Sequence, residues 1–205
     1  MNASSPLPAD TPRADARRDQ IRTAAALCFR EHGFHGSSIA QISKVAGMST
    51  GHIYHYFENK EAIIADIVAQ DLQRLLTLTA ELRAASDVKA AMIERAVIGV
   101  QENLDPRSAG LQLEIVAEAS RNPHIAEIVE AADRQCRESL AATIRTQRLA
   151  AGHQDSDATL AGMVEAISAM FEGLRIRAIR NPDIDRDGVV LMFRRMVADL
   201  LSQTH

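Results

Sequence analysis

Aromatic residues are scarce in this chain of 205 residues. It contains no Trp, two Tyr and five Phe, which together make up 3% of the sequence. Ala, Leu, Ile, Arg and Glu are abundant instead, and most of these side chains lose little freedom in a helix. The composition therefore favours an all-α protein, and no strand-like alternation of apolar and polar residues opposes that prediction.

Other absences exclude further classes of protein. The two cysteines, Cys28 and Cys136, form no CxxC or Cys/His spacing, so we expect no metal site and reduced thiols in a cytoplasmic protein. No apolar run reaches the roughly 18 residues of a membrane span, and no membrane partner is expected. The polar start, residues 1–10, does not resemble a secretory signal and is predicted to be a disordered tail.

Motifs for catalysis are also missing. The sequence has no Gly-rich phosphate loop, no GxSxG elbow and no HExxH. Glu114, Glu118 and His124 suggest a metal at first sight, but Asn122-Pro123 predicts a helix break before His124. A polar pocket wall or an exposed face is the better interpretation. We therefore expect no enzyme, no catalytic residue and no cofactor.

Apolar periodicity and capping signals predict about nine helices. They fall at about 11–32, 38–46, 49–57, 60–85, 87–104, 109–120, 123–151, 156–180 and 186–203. The predicted fold is all-α, with a three-helix helix-turn-helix head and a larger helical domain. The corresponding boundaries are a tail at 1–10, a DNA-binding domain at 11–58 and a second domain at 59–205.

The segment from Ser38 to Phe57 carries the clearest functional signal. Two short helices are joined by a tight turn at Gly47, which is the helix-turn-helix arrangement whose second helix enters the major groove. The outward positions of that second helix hold uncharged, hydrogen-bonding or very small residues: Thr50, Gly51, His52, His55 and Tyr56. Such a surface meets base edges and phosphates without repulsion from carboxylates.

The distribution of charge along the chain also favours DNA binding by the head. Residues 1–60 carry a net charge of +2 and the remainder a net charge of −6. A basic head on an acidic body suits a local contact with a phosphate backbone. On the first helix Arg13, Arg17, Arg18 and Arg22 form a basic stripe, but Asp15 and Asp19 interleave with it. Phosphate contact and an ion-paired, solvated face are equally good interpretations.

The head resembles the TetR/AcrR family of transcriptional regulators. The resemblance runs from Phe29 to Lys60 and rests on three segments: Phe34-His35-Gly36-Ser37-Ser38-Ile39, Ile42-Ser43-Lys44-Val45-Ala46-Gly47-Met48-Ser49 and Ile53-Tyr54-His55-Tyr56-Phe57-Glu58-Asn59-Lys60-Glu61. It implies a homodimer that binds a palindromic operator in double-stranded DNA and is released by a small molecule. The C-terminal segments Phe171-Glu172-Gly173-Leu174 and Asn181-Pro182-Asp183 also resemble the dimerisation helices of choline-pathway repressors in that family.

The resemblance assigns roles to individual residues of the head. It implies that Thr50, Gly51, His52 and His55 face bases, and that Ser38, Tyr54, Tyr56 and Lys60 hold phosphates. Ser49, the predicted cap of the second helix of the motif, completes the expected DNA-binding set.

The last two predicted helices each carry a long apolar face. We expect a four-helix dimer interface built from Met163, Ile167, Met170, Leu174, Val190, Phe193, Val197 and Leu200. Small residues between them, Gly162, Ala166, Ala169 and Gly173, would allow two helices to approach closely.

A pocket within residues 60–180 is implied for the effector. We expect it to draw on Met92, Val116, Ile128 and Met170, with Gln112, Glu114 or Arg121 orienting a polar end. Only Phe171 and Phe193 follow Phe57 as aromatics, too few for an aromatic cage around a quaternary ammonium. An apolar or amphipathic effector is therefore expected rather than a choline-like one.

Two alternatives stay open at this point. The chain is either a ligand-responsive DNA-binding regulator or a helical binding module whose head has lost specific DNA binding, and the intact head favours the first. The sequence names neither the effector nor the operator nor the target genes, and it does not separate repression from activation.

Overall fold

The computed structural model describes residues 12–202, and these residues form nine α-helices with no strand among them. The helices are α1 (Pro12–Gly36), α2 (Ile39–Ala46), α3 (Thr50–Tyr56), α4 (Lys60–Ala84), α5 (Val88–Asn103), α6 (Pro106–Ala119), α7 (Pro123–Ala150), α8 (Asp157–Arg180) and α9 (Arg186–Ser202). The predicted all-α fold of about nine helices is confirmed. The predicted tail at 1–10 lies outside the described residues.

Two helix boundaries differ from the prediction. α1 continues to Gly36, but Gly33 has a φ of 72° and breaks the helical geometry close to the predicted end at His32. α6 begins at Pro106 instead of residue 109 because Asp105 caps it, accepting hydrogen bonds from the backbone N–H groups of Arg107 and Ser108. Pro at the first helical position suits such a start, since the missing N–H has no helical partner there.

The described chain divides into two compact units between Ile67 and Val68, within α4. The first unit holds α1 to α3 and the first turns of α4, with a core of fully buried side chains that includes Ile21, Phe29, Ile42, Ile53 and Ile63. Arg22 of α1 pairs with Asp66 of α4. The first turns of α4 belong to the first unit. The predicted domain boundary after residue 58 stays a prediction.

The second unit is built on two apolar clusters. One joins α5, α7, α8 and α9 through Met92, Ile144, Leu160, Ile167 and Val197, among others. The other lies nearer the ends of α5 and α8 and includes Val100, Leu104, Leu174 and Phe193. Within residues 12–202 no helix is long and apolar enough to cross a membrane.

A buried ion pair closes one end of this unit. The Arg148 side chain is 1% exposed and donates two hydrogen bonds of 2.6 Å to the carboxylate of Asp155. Its Nη1 also donates to the carbonyl oxygen of Leu201 at 3.2 Å. The pair therefore ties the end of α7 and the following loop to the last turn of α9, and the hydrogen bond to Asp155 raises the pKa of Arg148.

The apolar faces assigned to the dimer interface lie elsewhere than expected. Five of the eight predicted side chains are buried in the core of the subunit itself: Met163, Ile167, Leu174, Phe193 and Val197. The other three, Met170, Val190 and Leu200, are partly buried against the same clusters. The five buried side chains offer no area to a second copy, so the assignment is corrected for them, whereas Met170, Val190 and Leu200 stay predictions.

Candidate DNA-binding surface and ligand cavity

The start of α2 is fixed by a reciprocal cap. The hydroxyl of Ser38 accepts a hydrogen bond from the N–H of Gln41 at 3.1 Å, and the side chain of Gln41 accepts one from the N–H of Ser38 at 2.7 Å. Such a capping box satisfies two N–H groups that would otherwise lack partners at a helix start. Ser38, a predicted phosphate contact, is exposed at this position.

Gly47 makes the turn between the two helices of the motif. Its φ of 63° lies in the left-handed region, where glycine has no steric penalty. The N–H of Met48 donates to Ser43 O at 3.0 Å, and the amide of Gln20 donates to Ala46 O at 2.7 Å. The end of α2 is therefore held by α1 as well as by its own turn.

α3 presents its polar face outward on an anchored core. Ser49 caps the helix by accepting from the N–H of His52 at 3.2 Å, and Ile53 is fully buried beneath it. Gly51, His52, Tyr54 and His55 are exposed, and Tyr54 remains 54% exposed despite its size. An exposed, uncharged helix face of this kind suits base edges in the major groove.

Aromatic contacts order the rings of this face. His52 stacks on Tyr56, with ring centroids 5.5 Å apart and planes 13° from parallel. His55 meets the same tyrosine edge to face at 5.1 Å. Tyr56 thus supports both histidines, and each ring loses less freedom when it meets a ligand.

Thr50 and Gly51 differ in how far the fold constrains them. The Thr50 hydroxyl lies 3.4 Å from that of Ser43 on α2, so it is partly turned toward the helix pair. A β-carbon at Gly51 would meet no heavy atom within 4 Å. Packing within the chain therefore does not require glycine at 51. Close approach of DNA to the backbone would be a reason for glycine at this position.

Lys60 lies at the start of α4 and closes the head. Its Nζ donates hydrogen bonds of 2.7 Å to the carbonyl oxygens of Phe34 and Ser37. It also lies 4.5 Å from the centre of the Phe34 ring, within cation–π range. The ammonium therefore binds the end of α1 and the residue that follows it, a role that the sequence did not reveal.

The arginines of α1 separate into two kinds. Arg22 pairs with Asp19 and Asp66, which matches the ion-paired interpretation for that residue. Arg17 is partly buried and donates to the side chain of Gln20 at 2.7 Å. Phosphate contact by Arg17 stays a prediction.

A cavity of about 390 Å³ lies within the second unit. It falls in the range of roughly 300–1,000 Å³ that is typical of small-molecule sites. Its walls come from α4, α5, α6, α7 and α8, with Val197 contributed by α9. Of the residues predicted for the effector pocket, Met92, Gln112 and Val116 line it.

The remaining predicted pocket residues lie outside the cavity wall. Arg121 is exposed and pairs at 3.7 Å with Glu118, whose side chain is almost fully buried. Met170 packs into the second apolar cluster. Glu114 and Ile128 are partly buried but are not lining residues. Their assignment to an effector pocket stays a prediction, and the cavity draws more on α4 and α8 than the sequence suggested.

Sequence reasoning missed most of the polar lining. It includes Asp71, Arg95, Glu102, Asn103 and Arg175. One signal was present for Arg175, which follows Ile167 and Phe171 at four-residue spacing on an otherwise apolar face of α8. A charged residue at such an inward position indicates either a buried pair or a ligand.

Two family models match the chain. Residues 21–67 match the family described as bacterial regulatory proteins, tetR family. Residues 90–202 match the family described as BetI-type transcriptional repressor, C-terminal. The second match alone covers more than half of the chain.

Curated proteins and solved structures give similar results. The chain is 36% identical over 117 residues to the HTH-type transcriptional regulator UidR of Escherichia coli K12, a match that covers 57% of this chain and 59% of UidR. It is 25% identical over 169 residues to the HTH-type transcriptional repressor AcnR of Corynebacterium jeikeium, covering 82% of this chain and 84% of AcnR. Salmonella enterica GusR has the same fold, with a TM-score of 0.76 at 29% identity over 94% of this chain and 98% of that one.

Proposed function

Because this chain belongs to the TetR family of transcriptional regulators, we propose that it is a homodimeric repressor released from a palindromic operator by a small molecule. DNA binding and regulation of transcription follow from membership of the family, whose members are not enzymes. Repression, dimerisation and effector release are the proposal. A repressor of this kind works in the cytoplasm, where its operator lies.

The surface of α3 is the observation that carries the proposal. This capped helix of seven residues exposes Gly51, His52 and His55, and none of its residues from Thr50 to Tyr56 carries a charged side chain. His52 and His55 donate and accept hydrogen bonds toward base edges, and the bare backbone at Gly51 permits close approach. Tyr54, Tyr56, Ser38 and Ser49 flank this face and contact phosphates in the proposed complex.

Dimerisation is proposed through the exposed face of α8. The small residues Gly162, Ala166, Ala169 and Gly173 recur along it at spacings of four and three, and Ile176 continues the row. β-Carbons at Gly162 and Gly173 would meet nothing within 4 Å in the subunit. The exposed side chains of Leu191, Met192 and Met196 on α9 add apolar area.

A twofold dimer would present two copies of α3 to the DNA. In dimers of this kind the half-sites lie about 34–36 Å apart, one turn of the double helix. Palindromy of the operator then mirrors the symmetry of the protein.

The cavity is proposed as the effector site. α4 contributes Asp71, Arg74, Leu75 and Leu78 to the wall, and the same helix begins in the head with Lys60. A ligand that binds more tightly to the DNA-free conformation shifts the equilibrium away from the operator. Phe171 is the aromatic side chain among the lining residues, so an apolar or amphipathic effector fits better than a quaternary ammonium.

Selection of bound sequences from random double-stranded DNA tests the proposal. The full chain should enrich a palindromic motif with two half-sites about one helical turn apart. The selected DNA then serves as the probe for affinity measurements by fluorescence anisotropy. A variant with His52→Ala and Tyr56→Ala together is the matched control and should enrich no motif.

Enrichment of a single, non-repeated motif would contradict a symmetric dimer. Enrichment of no motif by the wild-type chain would contradict the proposed function and would favour a binding module without specific DNA recognition.

A further inference from the structure

Arg175 of α8 is a partly buried cation in the wall of the cavity. Its Nε donates a hydrogen bond of 2.8 Å to Oδ1 of Asn103 on α5. The amide of Asn103 is itself oriented, because its Nδ2 donates to Gly99 O at 2.8 Å. Arg175 is therefore held at a defined place by a neutral partner rather than by a carboxylate.

The other arginines of the cavity wall have acidic partners. Arg95 pairs with Glu102 at 2.6 Å and Arg137 with Asp133 at 2.7 Å. Arg74 lies 3.8 Å from both Asp71 and Glu102. Throughout residues 12–202, no carboxylate oxygen lies within 4.0 Å of the guanidinium of Arg175.

Removal from water destabilises such a charge. Desolvation lowers the pKa of Arg175, and the more distant carboxylates of Glu172 and Asp71 only partly oppose that effect. A buried charge without a partner is costly, and an incoming anion recovers that cost on binding. A second donor lies in the same wall, since Nη1 of Arg95 is buried without a hydrogen-bond partner within residues 12–202.

The wall contains both paired polar residues and an apolar cluster. Several polar residues pair with one another, since Arg74 approaches Glu102, Gln112 donates to Asp71 at 2.7 Å, and Arg175 donates to Asn103. The apolar residues cluster around Met92 and include Leu82, Ala96, Leu140, Ile167 and Phe171. The wall thus offers both charged and apolar surface to a ligand.

We infer that the effector is a small amphipathic carboxylic acid, whose carboxylate binds Arg175 while its apolar body lies along the leucines, Met92 and Phe171. This inference rests on the proposed function, since it names the chemistry of the same effector site. The planar fork of a guanidinium matches a carboxylate in two parallel hydrogen bonds. Arg95 lines the same cavity and offers its Nη1 as a second donor.

The acidic residues of the wall limit the charge of the ligand. Asp71, Glu102 and Glu172 also line the cavity and would repel a ligand with several negative charges. Arg175 would repel a cationic ligand, because no carboxylate of residues 12–202 within 4.0 Å neutralises its charge. A single negative charge on an apolar body is the chemistry that fits both constraints.

Matched sets of probes test the charge of the ligand. Phenylbutanoate, octanoate and decanoate would each be compared with the amide and the amine of the same skeleton, by isothermal titration with the full chain. We expect at least one acid to bind about tenfold or more tightly than its amide, because a hydrogen bond to a charged group contributes more than one between neutral groups. The amines should bind most weakly.

Three variants locate the effect. Arg175→Gln should remove the preference of the cavity for acid over amide, with amide affinity changed by less than about twofold, and Arg175→Lys should retain part of it because the charge remains. Arg134→Gln, at an exposed arginine of α7 outside the cavity wall, is the matched control and should behave like the wild-type chain. Melting temperatures check folding, and the ligand-free Arg175→Gln protein should melt at or above the wild-type temperature.

Equal binding of acids and amides, binding of no acid, or an unchanged preference in Arg175→Gln would each overturn the inference. DNA binding keeps this outcome separate from the proposed function. If the chain binds a selected operator and an uncharged ligand releases it, the proposed function stands and the carboxylate inference fails. If the chain prefers acids through Arg175 but selects no DNA, the carboxylate inference stands and the proposed function fails.

Discussion

The ammonium nitrogen of Lys60 lies 2.7 Å from the carbonyl oxygen of Ser37, two residues before the start of α2. A second bond of the same length joins it to the carbonyl oxygen of Phe34. The first residue of α4 therefore fixes the segment that leads into the helix-turn-helix. Sequence resemblance assigns Lys60 to a phosphate contact, and the structure adds an internal role for the same group.

Lys60→Met is expected to destabilise the first unit by about 1–3 kcal/mol, because two carbonyl groups lose a charged donor. Thermal unfolding followed by circular dichroism measures the effect. Lys44→Met, at an exposed lysine in the last turn of α2, is the control and should change the melting temperature little. An unchanged melting temperature in Lys60→Met would refute the internal role. A direct phosphate contact would in addition lower the slope of affinity against salt by about one.

His52→Ala and Tyr56→Ala are each expected to weaken binding to the selected operator by about 1–3 kcal/mol. Because the two rings stack, the double variant should lose less than the sum of the single losses. Fluorescence anisotropy with labelled DNA gives the affinities. His32→Ala, at an exposed histidine of α1, is the matched control. Wild-type affinity in both single variants would contradict the placement of the recognition surface.

Local signals in the sequence explain why the head was predicted well. The caps at Ser38 and Ser49, the glycine turn at Gly47 and the buried positions of Ile42 and Ile53 depend on residues close together in the chain. Each has a recognisable sequence pattern. Lys60 was assigned to DNA alone, because its bond to Phe34 spans 26 residues and leaves no local pattern.

The cavity and the dimer face were predicted less well for the same physical reason. The bond between Arg175 and Asn103 spans 72 residues, and sequence periodicity does not report which helices become neighbours. On α8 the apolar face with Met163 and Ile167 packs inside the subunit. The opposite face of small residues is the exposed one. Periodicity identifies an apolar face but not the surface that covers it.

Ala169→Arg is expected to dissociate the proposed dimer. Near a twofold axis each copy of the new arginine approaches its symmetry mate, and like charges at an interface cost several kcal/mol. Ala169 is exposed in the subunit, so folding should persist. Light scattering coupled to size exclusion measures the mass. Ala80→Arg, on the exposed face of α4, is the control and should remain dimeric, whereas a dimeric Ala169→Arg would exclude this face.

Gly99→Ala is expected to lower the free energy of unfolding by about 1–3 kcal/mol, as overpacked core positions do. The added β-carbon would lie 2.8 Å from a ring carbon of Phe171, and that ring already packs on Phe193 with centroids 5.3 Å apart. Urea unfolding measures the change. Gly51→Ala is the control, since its β-carbon meets open space and alanine favours a helix. Equal or higher stability in Gly99→Ala would contradict the contact.

The same substitution should alter the cavity. Gly99 and Phe171 both line it, so a displaced ring changes its apolar surface. We expect weaker binding of any organic acid that the wild-type protein binds, measured by isothermal titration. Unchanged affinity would place the ligand away from Phe171.

Cys136 is expected to react slowly with iodoacetamide at pH 8. Burial raises the pKa of its thiol, and the carboxylates of Asp133 and Asp71 raise it further. A raised pKa means less of the reactive thiolate at a given pH, so the rate should keep rising with pH beyond the value of about 8.5 at which a free cysteine is half ionised. Peptide mass spectrometry separates Cys136 from Cys28.

Occupancy of the cavity should protect Cys136, because this residue lines it. An organic acid that binds the protein would then slow alkylation further. The chain unfolded in urea is the control and should react at the rate of an ordinary thiol. A folded-state rate as fast as the unfolded one would contradict the buried environment.

Tyr54 and Tyr56 are the two tyrosines of a chain that has no Trp, and both lie on α3. The ultraviolet emission of this protein therefore originates on its proposed DNA-reading helix, with no indole to mask it. Binding of DNA is expected to change that emission. A ligand in the cavity would not contact either tyrosine, because neither one lines the cavity. The unmodified protein thus carries its own optical reporter, which its composition confines to the helix proposed to bind the operator.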